Sequence, residues 1–172
     1  MRAVRRGDAT NIVFPGSKIT PPGVSRSRPA ARRLPRHPAE RMYDALTTTE
    51  GVASWWWQDA RGDARTNARL ECYYGESPMV VMQITEQQPN RKVSWRCVEG
   101  PEGWVDTTVT YDIDAGADET AVTLTHVGWR QPTDFMGQCS TRWAIYLVGL
   151  KRLLEGGTPT PFPPCPPVSS MG

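Results

Sequence analysis

The apolar periodicity of this 172-residue chain changes once along its length, and that change dictates its architecture. Five short runs, over 66–74, 79–86, 92–98, 105–113 and 120–127, read as strands separated by turn residues at Gly75, Gln87-Gln88-Pro89-Asn90 and Gly100-Pro101-Glu102-Gly103. Val93, Trp95 and Cys97 share one side of the third run. Val105, Thr107, Val109, Tyr111 and Ile113 share a side of the fourth, and Val122, Leu124 and His126 of the fifth. A period of 2 with polar neighbours makes an antiparallel sheet wetted on one face. From Asp134 to Glu155 the period lengthens: Phe135, Cys139, Trp143, Tyr146, Leu147, Leu150, Leu153 and Leu154 fit one stripe of a long helix. Gly156-Gly157 supplies a stop, and Lys151 and Arg152 lie near the carbonyl end, where positive charge is favourable.

Before the strands, Pro38 suits the first position of a helix, where its missing N–H costs nothing. Met42, Ala45 and Leu46 then fall on one face. Thr47 and Glu50 have the spacing of a capping box for a second short helix. In that helix Val52, Trp55 and Trp56 stand at i, i+3 and i+4, while Trp57 projects elsewhere and is expected at the surface. Helix pair, five-strand meander and long helix make an α+β layout, with the terminal helix packed across a curved sheet.

Charge divides the chain. Residues 1–41 hold ten Lys/Arg against two Asp/Glu, net +8, and residues 42–172 hold ten against sixteen, net −6. The folded part is mildly acidic, which argues against a nucleic-acid-binding body. Prolines among scattered arginines, without a sustained apolar period, read residues 1–36 as a disordered basic segment. Residues 159–172 read as an extended, solvent-facing Pro-rich tail. The domain is expected over 37–158. There is no apolar run long enough to span a membrane and no signal-peptide pattern, so membrane insertion is not expected. Cys72, Cys97, Cys139 and Cys165 form no CxxC pair, and only His37 and His126 could join them, so the thiols read as reduced and buried in a cytoplasmic protein without a metal site or cofactor.

Asp44-Ala45-Leu46-Thr47-Thr48 and Glu50-Gly51-Val52-Ala53-Ser54-Trp55-Trp56 resemble the opening signature of the SRPBCC superfamily (START, Bet v 1-like). The branch they resemble is the C-terminal domain of the activator of Hsp90 ATPase. Val93-Ser94-Trp95, Leu124-Thr125-His126-Val127-Gly128-Trp129, the run from Trp143 to Lys151 and Leu154-Glu155-Gly156-Gly157 resemble later landmarks in the same order. The resemblance implies a helix-grip fold: a curved antiparallel sheet wrapped around a long C-terminal helix, two short helices near the start, and a cavity between sheet and helix. It also implies a first strand directly before the helix pair. Here that position, 24–36, carries Pro29, Pro35 and a surplus of arginine, which argues against a paired strand. Residues before about Leu34 are therefore expected to come from a mis-called start or a frame change, which an intact mass of the native protein decides.

Trp55, Trp56, Trp95, Tyr111, His126, Trp129, Trp143 and Tyr146 fall on inward faces and are the candidate ligand-binding residues. An apolar pocket with a few polar groups is the usual small-molecule site, and dense core packing is the competing role. His126 reads as a structural histidine; a catalytic role would need an orienting carboxylate such as Asp106 or Glu71. Cys97 and Cys139 read as inert, and Arg130 and Arg142 as solvated, with an anionic ligand the competing role. The function expected is the binding of a small hydrophobic molecule. The alternatives are a chaperone-associated interaction module presenting Trp57 to a protein partner, and a cyclase-type enzyme using His126. Phosphate loops and nucleophile elbows are missing from the sequence.

Overall fold

The computed structural model describes residues 10–17 (backbone), 38–116 and 119–163. Helix α1, Pro38–Thr47, turns Ala39, Met42, Ala45 and Leu46 inward, and Glu40 sits in its first turn, where a negative charge suits the helix dipole. Helix α2, Thr49–Trp55, follows at once. Its N-cap is Thr48 rather than Thr47: the Thr48 hydroxyl accepts from Gly51 N at 3.0 Å, while Thr47 Oγ1 bonds back to Tyr43 O within α1. Gly51 is required by packing, since a Cβ there would stand 2.5 Å from Asp44 O.

Among the described residues, seven antiparallel strands form one curved sheet in the order β1-β7-β6-β5-β4-β3-β2. The strands are β1 Thr10–Ser17, β2 Ala60–Gly62, β3 Arg69–Tyr74, β4 Ser77–Gln88, β5 Lys92–Glu99, β6 Thr108–Ala115 and β7 Thr120–Val127. The register aligns the inward positions across the sheet: Met82 opposite Cys97, Ile84 opposite Trp95, Trp95 opposite Val109, Val93 opposite Tyr111, Tyr111 opposite Leu124 and Val109 opposite His126. Helix α3, Asp134–Leu154, packs its Cys139, Trp143, Tyr146, Leu147, Leu150 and Leu154 stripe into the same core. Thr133 caps its start, accepting from Met136 N, and Gly156 ends it with φ +85°. This is the α+β helix-grip layout expected. Among the described residues no helix is long and apolar enough to cross a membrane.

Four further expectations change. Thr10–Ser17 is a strand paired with β7, so that edge has its partner, and the disordered reading of 1–36 does not hold there. The prolines that argued against a strand lie downstream, and Pro15 falls between Phe14 and Ser17, where the register shifts and the ladder needs no donor. The rest of 1–36 lies outside the described residues. The strand expected at 105 starts at Thr108, because Asp106 adopts φ +72° in a turn closed by Trp104 N to Pro101 O and Thr107 N to Trp104 O. Trp104, not Val105, is thereby turned inward. Trp57 is 6 % exposed, not a surface residue: α2 ends at Trp55, so helical phase no longer applies. Trp57 Nε1 donates to Tyr73 O at 2.7 Å. Lastly, the Pro-rich tail docks where it is described. Phe162 exchanges backbone bonds with Trp56 and Gln58, and its ring lies 4.6 Å from that of Trp57.

Candidate functional site

All eight candidate residues belong to one continuous aromatic network. Trp56 is its centre, stacked on Trp95 (5.2 Å), Trp143 (5.3 Å) and Trp104 (6.5 Å). Tyr111 meets Trp95 edge-on at 4.9 Å and Trp55 at 6.2 Å. Tyr146 contacts Trp143, and His126 sits 4.4 Å from Trp129 and 5.7 Å from Trp104. The sheet contributes Trp95, Tyr111 and His126, α2 ends in Trp55 and Trp56, and α3 brings Trp143 and Tyr146. Offset and edge-on indole pairs of this kind add to simple area burial.

His126 is 1 % exposed and its protonation state is fixed by geometry. Thr107 Oγ1 donates to Trp104 O at 2.6 Å, so it accepts from His126 Nε2 at 2.9 Å. Nδ1 is left to accept from Trp143 Nε1 at 3.2 Å. The ring is a neutral Nε2–H tautomer, and burial pushes its pKa down to about 4. The carboxylates named as orienting partners are elsewhere: Asp106 binds Arg96 Nη2 at 2.7 Å, and Glu71 accepts from the Tyr73 hydroxyl. Burial raises all three described thiols, with Cys97 at about 11. Among the described residues no three His, Cys, Asp or Glu side chains gather closely enough to hold a metal ion.

Among the described residues, an inner and an outer cavity border this network. An inner chamber of about 80 Å³ is walled by Trp56, Trp57, Trp104, Phe135, Cys139, Arg142, Trp143, Tyr146 and Phe162, with Met79, Val80 and Pro101. An outer cleft of about 390 Å³ lies between the Pro101, Glu102 and Gly103 turn and Trp129, Arg130, Gln131, Thr133 and Phe135. Pro101 and Phe135 line both. Of the eight candidates, Trp56, Trp143 and Tyr146 reach the chamber and Trp129 the cleft; Trp55, Trp95, Tyr111 and His126 line neither.

Among the described residues, four enclosed side-chain atoms lack a protein partner: Trp95 Nε1, Tyr111 OH, Trp129 Nε1 and Arg142 Nε. All four belong to the network or its cavities. Sequence reasoning missed Trp104, which donates to Cys139 Sγ at 2.9 Å, because it lies in a Gly/Pro turn. A bulky aromatic in a turn, four residues before the β6 strand, was the available signal.

A protein-family model described as activator of Hsp90 ATPase homolog 1-like protein matches residues 36–155. The solution structure of the Aha1 dimer from Colwellia psychrerythraea is 28 % identical, with a TM-score of 0.68 over 87 % of this chain and 97 % of that one. A crystal structure of a Mesorhizobium loti protein is 15 % identical (TM-score 0.63, 87 % and 98 % covered). The solution structure of CalU16 from Micromonospora echinospora is 19 % identical (TM-score 0.57, 70 % and 62 % covered). The last two likenesses are of fold alone. No curated protein matches the chain.

Proposed function

We propose that this chain, which belongs to the activator of Hsp90 ATPase homolog 1-like family, is a cytosolic binding protein for a small hydrophobic molecule held between the sheet and α3. One ring of the ligand occupies the inner chamber and the remainder extends toward the outer cleft. The observation that carries this reading is an enclosed polar atom without a protein partner at each cavity, Arg142 Nε at the chamber and Trp129 Nε1 at the cleft. Native proteins pair nearly all such atoms, and each left unpaired costs about 1–3 kcal/mol. A ligand that brings polar groups to an aromatic chamber offsets that cost. The cleft volume of about 390 Å³ falls in the ordinary range for small-molecule sites.

The two alternatives receive less support. The chaperone-associated reading placed Trp57 foremost among the exposed aromatics, and Trp57 is buried against Phe162 and Tyr73. The enzyme reading needed an orienting carboxylate on His126, whose ring nitrogens are occupied by Thr107 and Trp143.

Titration with the neutral fluorophore N-phenylnaphthylamine tests the proposal. Saturable binding with energy transfer from tryptophan is expected, and it should be lost in Cys139→Phe, which fills the chamber, while the circular dichroism spectrum stays native. Linear, non-saturating signal in the wild type would sink the reading, as would unchanged binding in Cys139→Phe.

A further inference from the structure

Arg142 is out of place on its own helix face. Phe135, Cys139, Trp143 and Tyr146 form the inward stripe of α3, and Arg142, seven residues after Phe135, falls in the same stripe and lines the chamber. Among the described residues it is the only charged side chain in that lining. Arg61, Arg65, Arg69 and Arg96 each meet a carboxylate at the surface. Arg142 has no such partner among the described residues, and its Nε is enclosed without one. An enclosed Nε without a protein partner suits a planar anion, which a guanidinium binds through two parallel N–H···O bonds, one from Nε and one from a terminal nitrogen. The chamber around it is apolar and narrow enough to accept one ring, so the anion must be attached to an aromatic or similarly flat body.

We infer that Arg142 anchors the acidic end of an aromatic organic acid, such as a carboxylate or sulfonate, whose ring lies among Trp56, Trp104 and Trp143. The inference rests on the ligand reading above and narrows it from a hydrophobic molecule to an amphipathic anion. Leaving the enclosed Nε unpaired is costly, and the acid group removes that cost on binding. A neutral ligand leaves it in place. The chamber therefore selects by charge as well as by shape.

Two fluorophores with the same ring system separate the ideas: anilinonaphthalenesulfonate, an anion, and N-phenylnaphthylamine, which is neutral. The wild type is expected to bind the sulfonate roughly tenfold more tightly, the scale of one charge-assisted contact. Arg142→Met should lose that preference while weakening the neutral probe by no more than about twofold, a factor far below the tenfold of such a contact. Arg142→Lys should restore part of the preference, and Arg152→Met, at the exposed end of α3, should keep all of it. Equal affinities for the two probes in the wild type overturn the anchor, and so does equal weakening of both in Arg142→Met. In either case saturable binding of the neutral probe leaves the ligand reading standing. If neither probe saturates, the ligand reading itself fails and the anchor with it.

Discussion

The aromatic network has a sealed end and an open end, built from the same residue types. At the sealed end Trp56 stacks on Trp95 and Trp143 at 5.2 and 5.3 Å, with Tyr111 closing edge-on behind them. At the open end Trp129 is half-buried, meets Phe135 only at 6.3 Å and borders the cleft of about 390 Å³. The difference lies in what faces the rings. Sheet and helix both send large side chains into the sealed end, where Trp56 and Trp143 leave room only for the chamber of about 80 Å³. The open end is faced by the turn through Pro101, Glu102 and Gly103, which has little side chain to offer. Aromatic content alone therefore does not make a site; a site forms where one wall is deprived of volume.

The largest effect expected from this contrast is at the sealed end. Trp56→Ala removes the ring on which three indoles stack and should cost about 4 kcal/mol, within the range for fully buried large-to-Ala changes. Urea unfolding at neutral pH measures it. A loss below about 1 kcal/mol, the scale of an ordinary substitution, would show that the stack has slack and that the two ends do not differ in packing.

His126 lies where the two ends meet, and acid should find it there. Its folded pKa of about 4 stands below the usual 6.5. The unfolded chain therefore binds a proton at a pH where the native state does not, and stability, full above about 6.5, falls as pH drops toward 4. Protonation would also set an Nδ1–H against the Trp143 indole N–H. Between pH 7 and 5 the loss should be about 2 kcal/mol, above the range where surface carboxylates titrate. His126→Gln, which has nothing to titrate, should be nearly flat over that window. A variant curve parallel to the wild type would assign the acid sensitivity to other groups.

The parts of this arrangement legible in the sequence are those governed by a steady period. The five alternating runs and the Phe135-to-Leu154 stripe each repeat one rule for many residues, so the strands and α3 appear with small errors at their ends. The misreadings cluster where a single residue changes the rule. The end of α2 at Trp55 reverses the expectation for Trp57. The positive φ of Asp106 moves the start of β6 and exchanges Val105 for Trp104. At the N-terminus, an eight-residue strand hides among prolines because one of them falls on its register shift. Inward-facing residues could be collected from pattern, but which of them border empty volume could not. Cavities arise from what opposes a side chain, and only the three-dimensional register of turn, helix and sheet supplies that. Arg142 shows the same limit: it reads as solvated from the sequence, and that it lines the chamber depends on how α3 lies against Trp56 and Trp104.

The smallest expected effect sharpens the contrast most. A Cβ at Gly103 would stand 2.9 Å from Phe135 Cδ1 and 4.0 Å from Trp129 Cζ3, so Gly103→Ala must displace the Phe135 ring. At a sealed site such overpacking costs about 1–3 kcal/mol. Here the ring borders the outer cleft and has room to swing, so the loss should stay below about 1 kcal/mol. The Phe135 and Trp129 ring resonances should shift in NMR spectra while the imidazole signals of His126 keep the Nε2–H pattern. Binding of N-phenylnaphthylamine should change, because the shared wall between chamber and cleft has moved. A cost near 3 kcal/mol, or a disturbed His126 tautomer, would mean that the cleft is as rigidly packed as the stack behind it. The two ends would then be one core, and the volume beside Trp129 an accident of the surface rather than the mouth of a binding site.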